Sequence, residues 1–177
     1  DIMIYGEELH NDLQLMQELW DAAEGKIINM TVAPELKGMR ELSLYCIGKG
    51  IVLQAGHTNA TYEQMVEGMQ VRILHVTHLF NAMSRMHHRD PNAVGAVFIH
   101  PEISCEIIAD GIHINPNLIK FLPRCKPIDK LVLVTDSLKP TKQTERPLMA
   151  NGEEVYLDKC FYRKSDNVIA GSALTMS

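Results

Sequence analysis

Five apolar runs in this 177-residue chain stop on residues that can ligate a cation, carry a proton or hold an anion. The endings are Ala33-Pro34-Glu35, Gly56-His57-Thr58-Asn59, Thr77-His78-Leu79-Phe80-Asn81, Asp110-Gly111-Ile112-His113 and Thr135-Asp136-Ser137. Two imidazoles and a carboxylate in such positions can converge on one divalent ion. Imidazole nitrogen is a good zinc ligand, and a carboxylate serves as ligand or proton carrier. His57, His78 and Asp136 are therefore the first candidates. Each also has a structural reading when taken singly. A histidine at a strand end is often a hydrogen-bonded part of the frame, and Asp136 can cap the turn that follows it. Glu35 follows a proline and reads as a solvated carboxylate at a helix start, with a metal role as the alternative. His87 and His88 lie in a polar loop and read as solvated, and Arg89 beside Asp90-Pro91 reads as a surface ion-pair partner. His75 alternates away from His78 along a regular strand, so packing is its default role.

Residues at strand ends share a site only if the strands lie side by side, as in parallel α/β sheets. The pattern predicts strands over residues 27–33, 51–55, 73–77, 104–109 and 130–135. Helical stretches are expected over residues 36–48 and 61–69, the second with Thr61 and Gln64 spaced as a capping box. Another helix should start near Asn115-Pro116, where proline suits the first turn. Strands separated by helices imply βαβ units and a parallel sheet. Before them, residues 7–24 carry Leu9, Leu13, Met16, Leu19 and Trp20 at the spacing of an amphipathic helix. After them, Asn151-Gly152 signals a turn, and the stretch to Val168-Ile169 reads as a hairpin.

Composition narrows the function. The formal charge of −5, with basic residues scattered, argues against a nucleic-acid binder. No run approaches the roughly 18 apolar residues of a membrane span, and no signal peptide opens the chain. Cys46, Cys105, Cys125 and Cys160 are far apart, as expected for reduced thiols of a cytoplasmic protein.

The segments AGHTNATYEQ (55–64), THLFNAMSRMHHRDPNAVGAV (77–97), IIADGIHINP (107–116), LVTDS (133–137) and AGSALTM (170–176) carry a resemblance. In this order, from about Thr31 to Met176, the chain resembles the N-acetylglucosamine-6-phosphate deacetylase family of the amidohydrolase superfamily. The resemblance implies an α/β fold, part of a distorted TIM barrel of the metal-dependent hydrolase type. Residues 1–150 would supply about strands four to eight, and residues 151–177 a hairpin and the start of the closing segment of the same domain. By the same resemblance, His57 and His78 fall on the metal histidines of barrel strands five and six. Asp136 falls on the strand-eight aspartate that acts first as general base and then as general acid. Asn81 and Ala82 fall on the turn that holds the sugar phosphate, and Arg89 on an arginine that reaches the phosphate across a dimer interface. His113 matches a substrate-binding histidine, and Leu174 and Met176 match positions lining the acetamide side of the pocket.

The implied reaction is hydrolysis of the acetamide of N-acetylglucosamine 6-phosphate to glucosamine 6-phosphate and acetate, with the galactosamine epimer as rival substrate. The implied cofactor is a divalent metal, zinc first, with iron, cobalt or manganese as alternatives. A cytoplasmic homodimer is implied, with neither nucleic acid nor membrane as partner. The family's glutamate ligand in its His-Leu-Glu-Gly-Pro motif has no match in this chain, and Glu35 matches a different glutamate, in an Ala-Pro-Glu segment. Five strands stand where the family has eight, and a TIM barrel takes roughly 250 residues. The sequence thus reads as a fragment or a natural truncation of such an enzyme. A non-catalytic phosphosugar-binding or assembly module is the alternative.

Overall fold

The computed structural model describes residues 12–176. Helix α1 (Asp12–Ala22) falls inside the amphipathic stretch, while Leu9 lies outside the described residues. Met16 is its fully buried anchor, flanked by partly buried Leu13 and Trp20.

All five expected strands form one parallel sheet: β1 (Asn29–Val32), β2 (Val52–Ala55), β3 (His75–Val76), β4 (Ser104–Ile108) and β5 (Leu131–Val134). Their order in space is their order in sequence, and every pairing is parallel. A doubly wound sheet would reverse direction at some point. Unreversed right-handed crossovers instead put the helices on one face, as in a barrel wall. Strand β3 is short, yet the Thr77 N–H still donates to Ala55 O at 2.9 Å, so the ladder runs up to the residue before His78. The edges are β1 and β5, and β5 leaves Val132 and Leu133 exposed.

Local chemistry sets the helix starts. Helix α2 (Met39–Gly48) begins only after Gly38, whose φ of 77° a side chain would resist, so residues 36–38 are turn rather than helix. Helix α3 (Tyr62–Gln70) carries the expected capping box: Gln64 N–H donates to Thr61 Oγ1, and Thr61 N–H to Gln64 Oε1. Helix α4 (Asn92–Ile99) is not foreseen by periodicity. Ala93, Val94, Gly95, Ala96 and Val97 are all buried, so it has no polar stripe to mark it. Helix α5 (Pro116–Cys125) starts as expected, with Asn115 capping it through a hydrogen bond from Asn117 N–H.

One core fills the space between sheet and helices, including Met30, Leu42, Leu53, Met65, Val76, Ala96, Cys105 and Leu122. A separate cluster of Leu148, Ala150, Val155 and Phe161 lies within a second, antiparallel sheet. That sheet is larger than a hairpin. It joins β6 (Leu148–Ala150), β7 (Glu153–Leu157), β8 (Phe161–Arg163) and β9 (Ile169–Gly171) in sequential order. Asn151 and Gly152, with φ of 51° and 81°, make its first turn, as a two-residue hairpin loop of type I′ requires.

Candidate metal and proton-transfer site

The carboxyl ends of β2 and β3 bring His57 and His78 together. Their Nε2 atoms are 3.0 Å apart, and the rings meet edge to face at 70° with centroids 4.8 Å apart. Both residues have left-handed backbones, φ 47° for His57 and 32° for His78, and Asp136 repeats this with φ 47°. A residue bearing a Cβ resists that region and stays there only when its surroundings over-determine it. Three such turns, at the ends of β2, β3 and β5, are a geometric signature of a built site.

The surroundings are explicit. Gly56 lets the chain turn at His57, because a Cβ there would lie 2.7 Å from Thr31 Cγ2 and 2.9 Å from Thr77 Cβ. Those two threonines are joined at 3.0 Å, and Thr77 Oγ1 donates on to Gln54 Oε1 at 3.1 Å, which closes the polar floor beneath the histidines. Beyond His57, the loops after β2 and β3 are strapped together. Thr58 N–H donates to Ala82 O at 3.0 Å, and Ser84 N–H donates to Thr58 O at 2.9 Å. The carboxylate of half-buried Glu35 accepts from Thr58 Oγ1 and, at 2.7 Å, from Asn59 N–H.

Asp136 is held from the carboxyl end of β9. Ser172 N–H donates to Asp136 O at 2.9 Å, Ser172 Oγ donates to Thr135 O, and Leu138 N–H donates to Ser172 O at 3.2 Å. Leu174 N–H in turn donates to Ser172 Oγ at 3.0 Å, so the two segments lock side by side. Protein packed around the Asp136 carboxyl desolvates it and raises its pKa, although part of the residue stays open to water. His78 and His113 pull in the opposite direction, and the Glu106 carboxylate adds to the rise. His57, His78, Asp136 and His113 thus share one electrostatic neighbourhood.

Two carboxylates complete the setting, Glu106, which lies inside a strand rather than at its end, and Asp110, which stands among the strand ends. Glu106, in the middle of β4, accepts from His78 N–H at 3.3 Å and sits 3.2 Å from His75 Nε2, whose Nδ1 is 2.7 Å from Ser104 Oγ. Burial alone would raise its pKa. The His75 hydrogen bond and charge, with the His78 N–H, outweigh burial and hold it below the ordinary value. Its place in the β4 alternation, between buried Cys105 and Ile107, is the sequence signal that marks it as facing the site. Asp110 accepts Ile112 N–H at 2.8 Å, His113 N–H at 2.9 Å and the His113 ring at Nδ1 at 2.7 Å. This fixes the imidazole with Nδ1 protonated and leaves Nε2 for the site.

Burial pushes the Asp110 carboxyl up, but the two backbone donors and His113 prevail, so its folded-state pKa lies below 3.8. A depressed carboxylate adds stability above its unfolded pKa and loses it as pH falls through the folded one. Asp110→Asn should therefore cost about 1.5–3 kcal/mol at neutral pH. In urea unfolding at a series of pH values, the gap between wild type and variant should close below about pH 3.8. A gap that stays constant into strong acid would show that the charge contributes nothing.

The remaining candidates are less engaged. Asn81 Nδ2 donates to His78 O at 3.3 Å and Leu79 O at 3.2 Å, so the side chain braces its own turn. Ala82 is exposed, with φ 47°. Arg89 is exposed and its Nη1 lies 2.6 Å from His88 Nε2, with its contacts confined to its own loop. Leu174 is half-buried beside Ser172, while Met176 is 69% exposed.

The histidine pair fits part of a metal site. Two nitrogens at about 2.0–2.1 Å from a tetrahedral zinc lie about 3.3 Å apart, close to the 3.0 Å observed. Burial, and secondarily the charge of His78, lower the His57 pKa and favour the neutral form that ligation needs. His78 Nδ1 is buried without a hydrogen-bond partner. Among the described residues, no group of three His, Cys, Asp or Glu side chains is arranged to hold an ion. The pair supplies two ligands, and a full set needs more.

Comparison with known proteins places the chain in a family. The sequence model of the amidohydrolase family matches residues 8–177. The chain is similar to an N-acetylglucosamine-6-phosphate deacetylase of Lysinibacillus sphaericus, with 33% identity over 170 residues, covering 93% of this chain and 43% of the relative. It is also similar to an N-acetylgalactosamine-6-phosphate deacetylase of Shewanella sp. (strain ANA-3), 30% identical over 148 residues, covering 84% of this chain and 37% of the relative. Among solved structures, it superposes on the N-acetyl-D-glucosamine-6-phosphate deacetylase of Mycobacterium smegmatis with a TM-score of 0.85 at 28% identity, covering 93% of this chain and 44% of the other. The chain therefore spans less than half the length of the relatives it matches.

Proposed function

Because the chain belongs to the amidohydrolase family, we propose that it forms the greater part of the active site of a deacetylase acting on N-acetylglucosamine 6-phosphate. The observation that carries the reading is the meeting of His57 and His78 Nε2 at 3.0 Å, at the ends of adjacent parallel strands, with Asp136 in the same electrostatic field. His57 and His78 would hold a divalent cation, zinc first, with iron, cobalt or manganese as alternatives. When bound, such a cation supplies Lewis-acid chemistry, lowering the pKa of bound water toward about 7. The Asp136 carboxylate takes the proton of the attacking water and later delivers it to the departing amine nitrogen. His113, oriented by Asp110, donates to or accepts from the substrate at Nε2. The turn at Asn81 and Ala82 offers main-chain donors to the sugar phosphate, and N–H groups suit an anion because they need no proton uptake. Arg89, exposed on its loop, would complete the phosphate contact from a partner subunit of a cytoplasmic homodimer. Leu174 and Met176 would line the acetamide side.

The products are glucosamine 6-phosphate and acetate. The N-acetylgalactosamine 6-phosphate reading has its own support, in the similarity to a relative named for that epimer. A phosphosugar-binding or assembly role is favoured by the absence of a third ligand beside the histidine pair among the described residues. One assay separates the three. Purified protein of confirmed intact mass, supplied with Zn²⁺, should release acetate from N-acetylglucosamine 6-phosphate faster than from the galactosamine epimer. The reverse preference exchanges the substrate. Binding of either phosphosugar without acetate release, in protein retaining bound zinc, supports the non-catalytic role.

A further inference from the structure

We infer that Glu35 is the positioning residue of the histidine pair, fixing the left-handed turn that aims His57 at His78. The inference rests on the proposed role of that pair. It starts from where the carboxylate is spent. One oxygen of Glu35 takes the Asn59 N–H at 2.7 Å and the other takes Thr58 Oγ1, so a single side chain grips both residues that follow His57. Thr58 is 2% exposed, and its hydroxyl also accepts Ala60 N–H at 3.0 Å, which leaves the turn little room to relax.

The grip extends to the second histidine. Thr58 forms a parallel bridge with Met83, donating to Ala82 O and accepting from Ser84 N–H. Ser84 Oγ then donates to Ala60 O at 2.5 Å and accepts Ala93 N–H at 3.0 Å, which ties the loop to the start of α4. Glu35 therefore reaches His57 through two bonds and the His78 loop through Thr58. With each oxygen taking one of those donors, the carboxylate acts as a brace. This accounts for a half-buried carboxylate beyond β1 that the chemistry of the site does not otherwise use. It also accounts for His57 remaining at φ 47° without a glycine in its place.

The test compares wild type with Glu35→Ala, Glu35→Gln and, as an exposed control, Glu41→Ala. In metal-free protein, NMR reads the cross-peak between the His57 and His78 rings and the exchange of the Thr58 and Ser84 amides. Competition titration then reads the Zn²⁺ affinity. Glu35→Ala should lose the ring cross-peak and speed exchange of both amides. It should weaken Zn²⁺ by about 10–100-fold, as loss of an outer-shell partner does, while far-ultraviolet circular dichroism shows the fold intact. Glutamine can accept from Asn59 N–H and donate to Thr58 Oγ1, so Glu35→Gln should stay near wild type, as should Glu41→Ala. A Glu35→Ala protein with the cross-peak and Zn²⁺ affinity of wild type overturns the inference. So does one that loses amide protection alone, because Glu35 would then support the loop without placing the ring. If wild type binds no Zn²⁺, the metal reading falls, and the cross-peak decides: its survival in Glu35→Ala overturns the inference, and its loss upholds it.

Discussion

Replacing Asp136 with asparagine should leave the fold intact and cut acetate release by about 10²–10⁴-fold, the usual weight of a positioned proton carrier. The substitution suits the question because it changes little else. Asparagine is nearly isosteric and tolerates the left-handed region that Asp136 occupies at φ 47°. Its backbone carbonyl still accepts Ser172 N–H. What disappears is the capacity to take a proton from water and return it to the leaving nitrogen. KM for the phosphosugar should therefore stay roughly constant while kcat falls, the pattern of an interaction made only in the transition state. Wild type adds a second observable. The base must be ionised, and desolvation raises the Asp136 pKa above 3.8. In metal-free protein a carboxyl titration followed by NMR should therefore sit above the ordinary value, and added Zn²⁺ should draw it down. Turnover of Asp136→Asn equal to wild type would remove the residue from the mechanism and return it to capping a turn.

The sequence was informative where physics acts locally and silent where it acts across the fold. The strands were legible because each is a short apolar run ended by turn chemistry, and the α3 start because Thr61 and Gln64 carry a cap in their own spacing. Helix α4 escaped because five successive buried residues, Ala93 to Val97, give no amphipathic period, and NAVGAVFI reads equally as a strand. The antiparallel sheet was half seen. Asn151-Gly152 announces its turn, but β6 and β9 are three residues each, too short to show alternation. In the site, His57, His78 and Asp136 could be picked out because strand ends are where a parallel sheet presents side chains. The residues that hold them were not legible. Glu35 acts on Thr58 across 23 positions and Ser172 on Thr135 across 37, and neither separation leaves a local pattern. Glu106 lies inside a strand rather than at its end, so a reading confined to termini passes it by.

The second large effect concerns the imidazoles. His57→Ala combined with His78→Ala should lower Zn²⁺ affinity by more than about 100-fold, since losing even an outer-shell partner costs about 10–100-fold. The expectation follows from geometry. The two Nε2 atoms are already within a few tenths of an ångström of the separation that two zinc ligands adopt. The αL turns at φ 47° and 32° keep them so, braced by the Thr58–Met83 bridge. Neither ring needs to move far, so little ordering opposes binding. The single variants should be unequal. His78 is buried, so truncating it leaves a cavity in a packed position, although alanine keeps the main-chain N–H bond to Glu106. His57 is only half-buried, and water can take its place. His78→Ala should accordingly cost more fold stability than His57→Ala, by about 1–3 kcal/mol, while both lower zinc affinity sharply. The double variant also removes the proton-sharing contact between the rings, so its thermal stability must be read beside its metal content. If it stays folded and still carries one equivalent of zinc after dialysis, the ion sits elsewhere and the paired histidines belong to the frame.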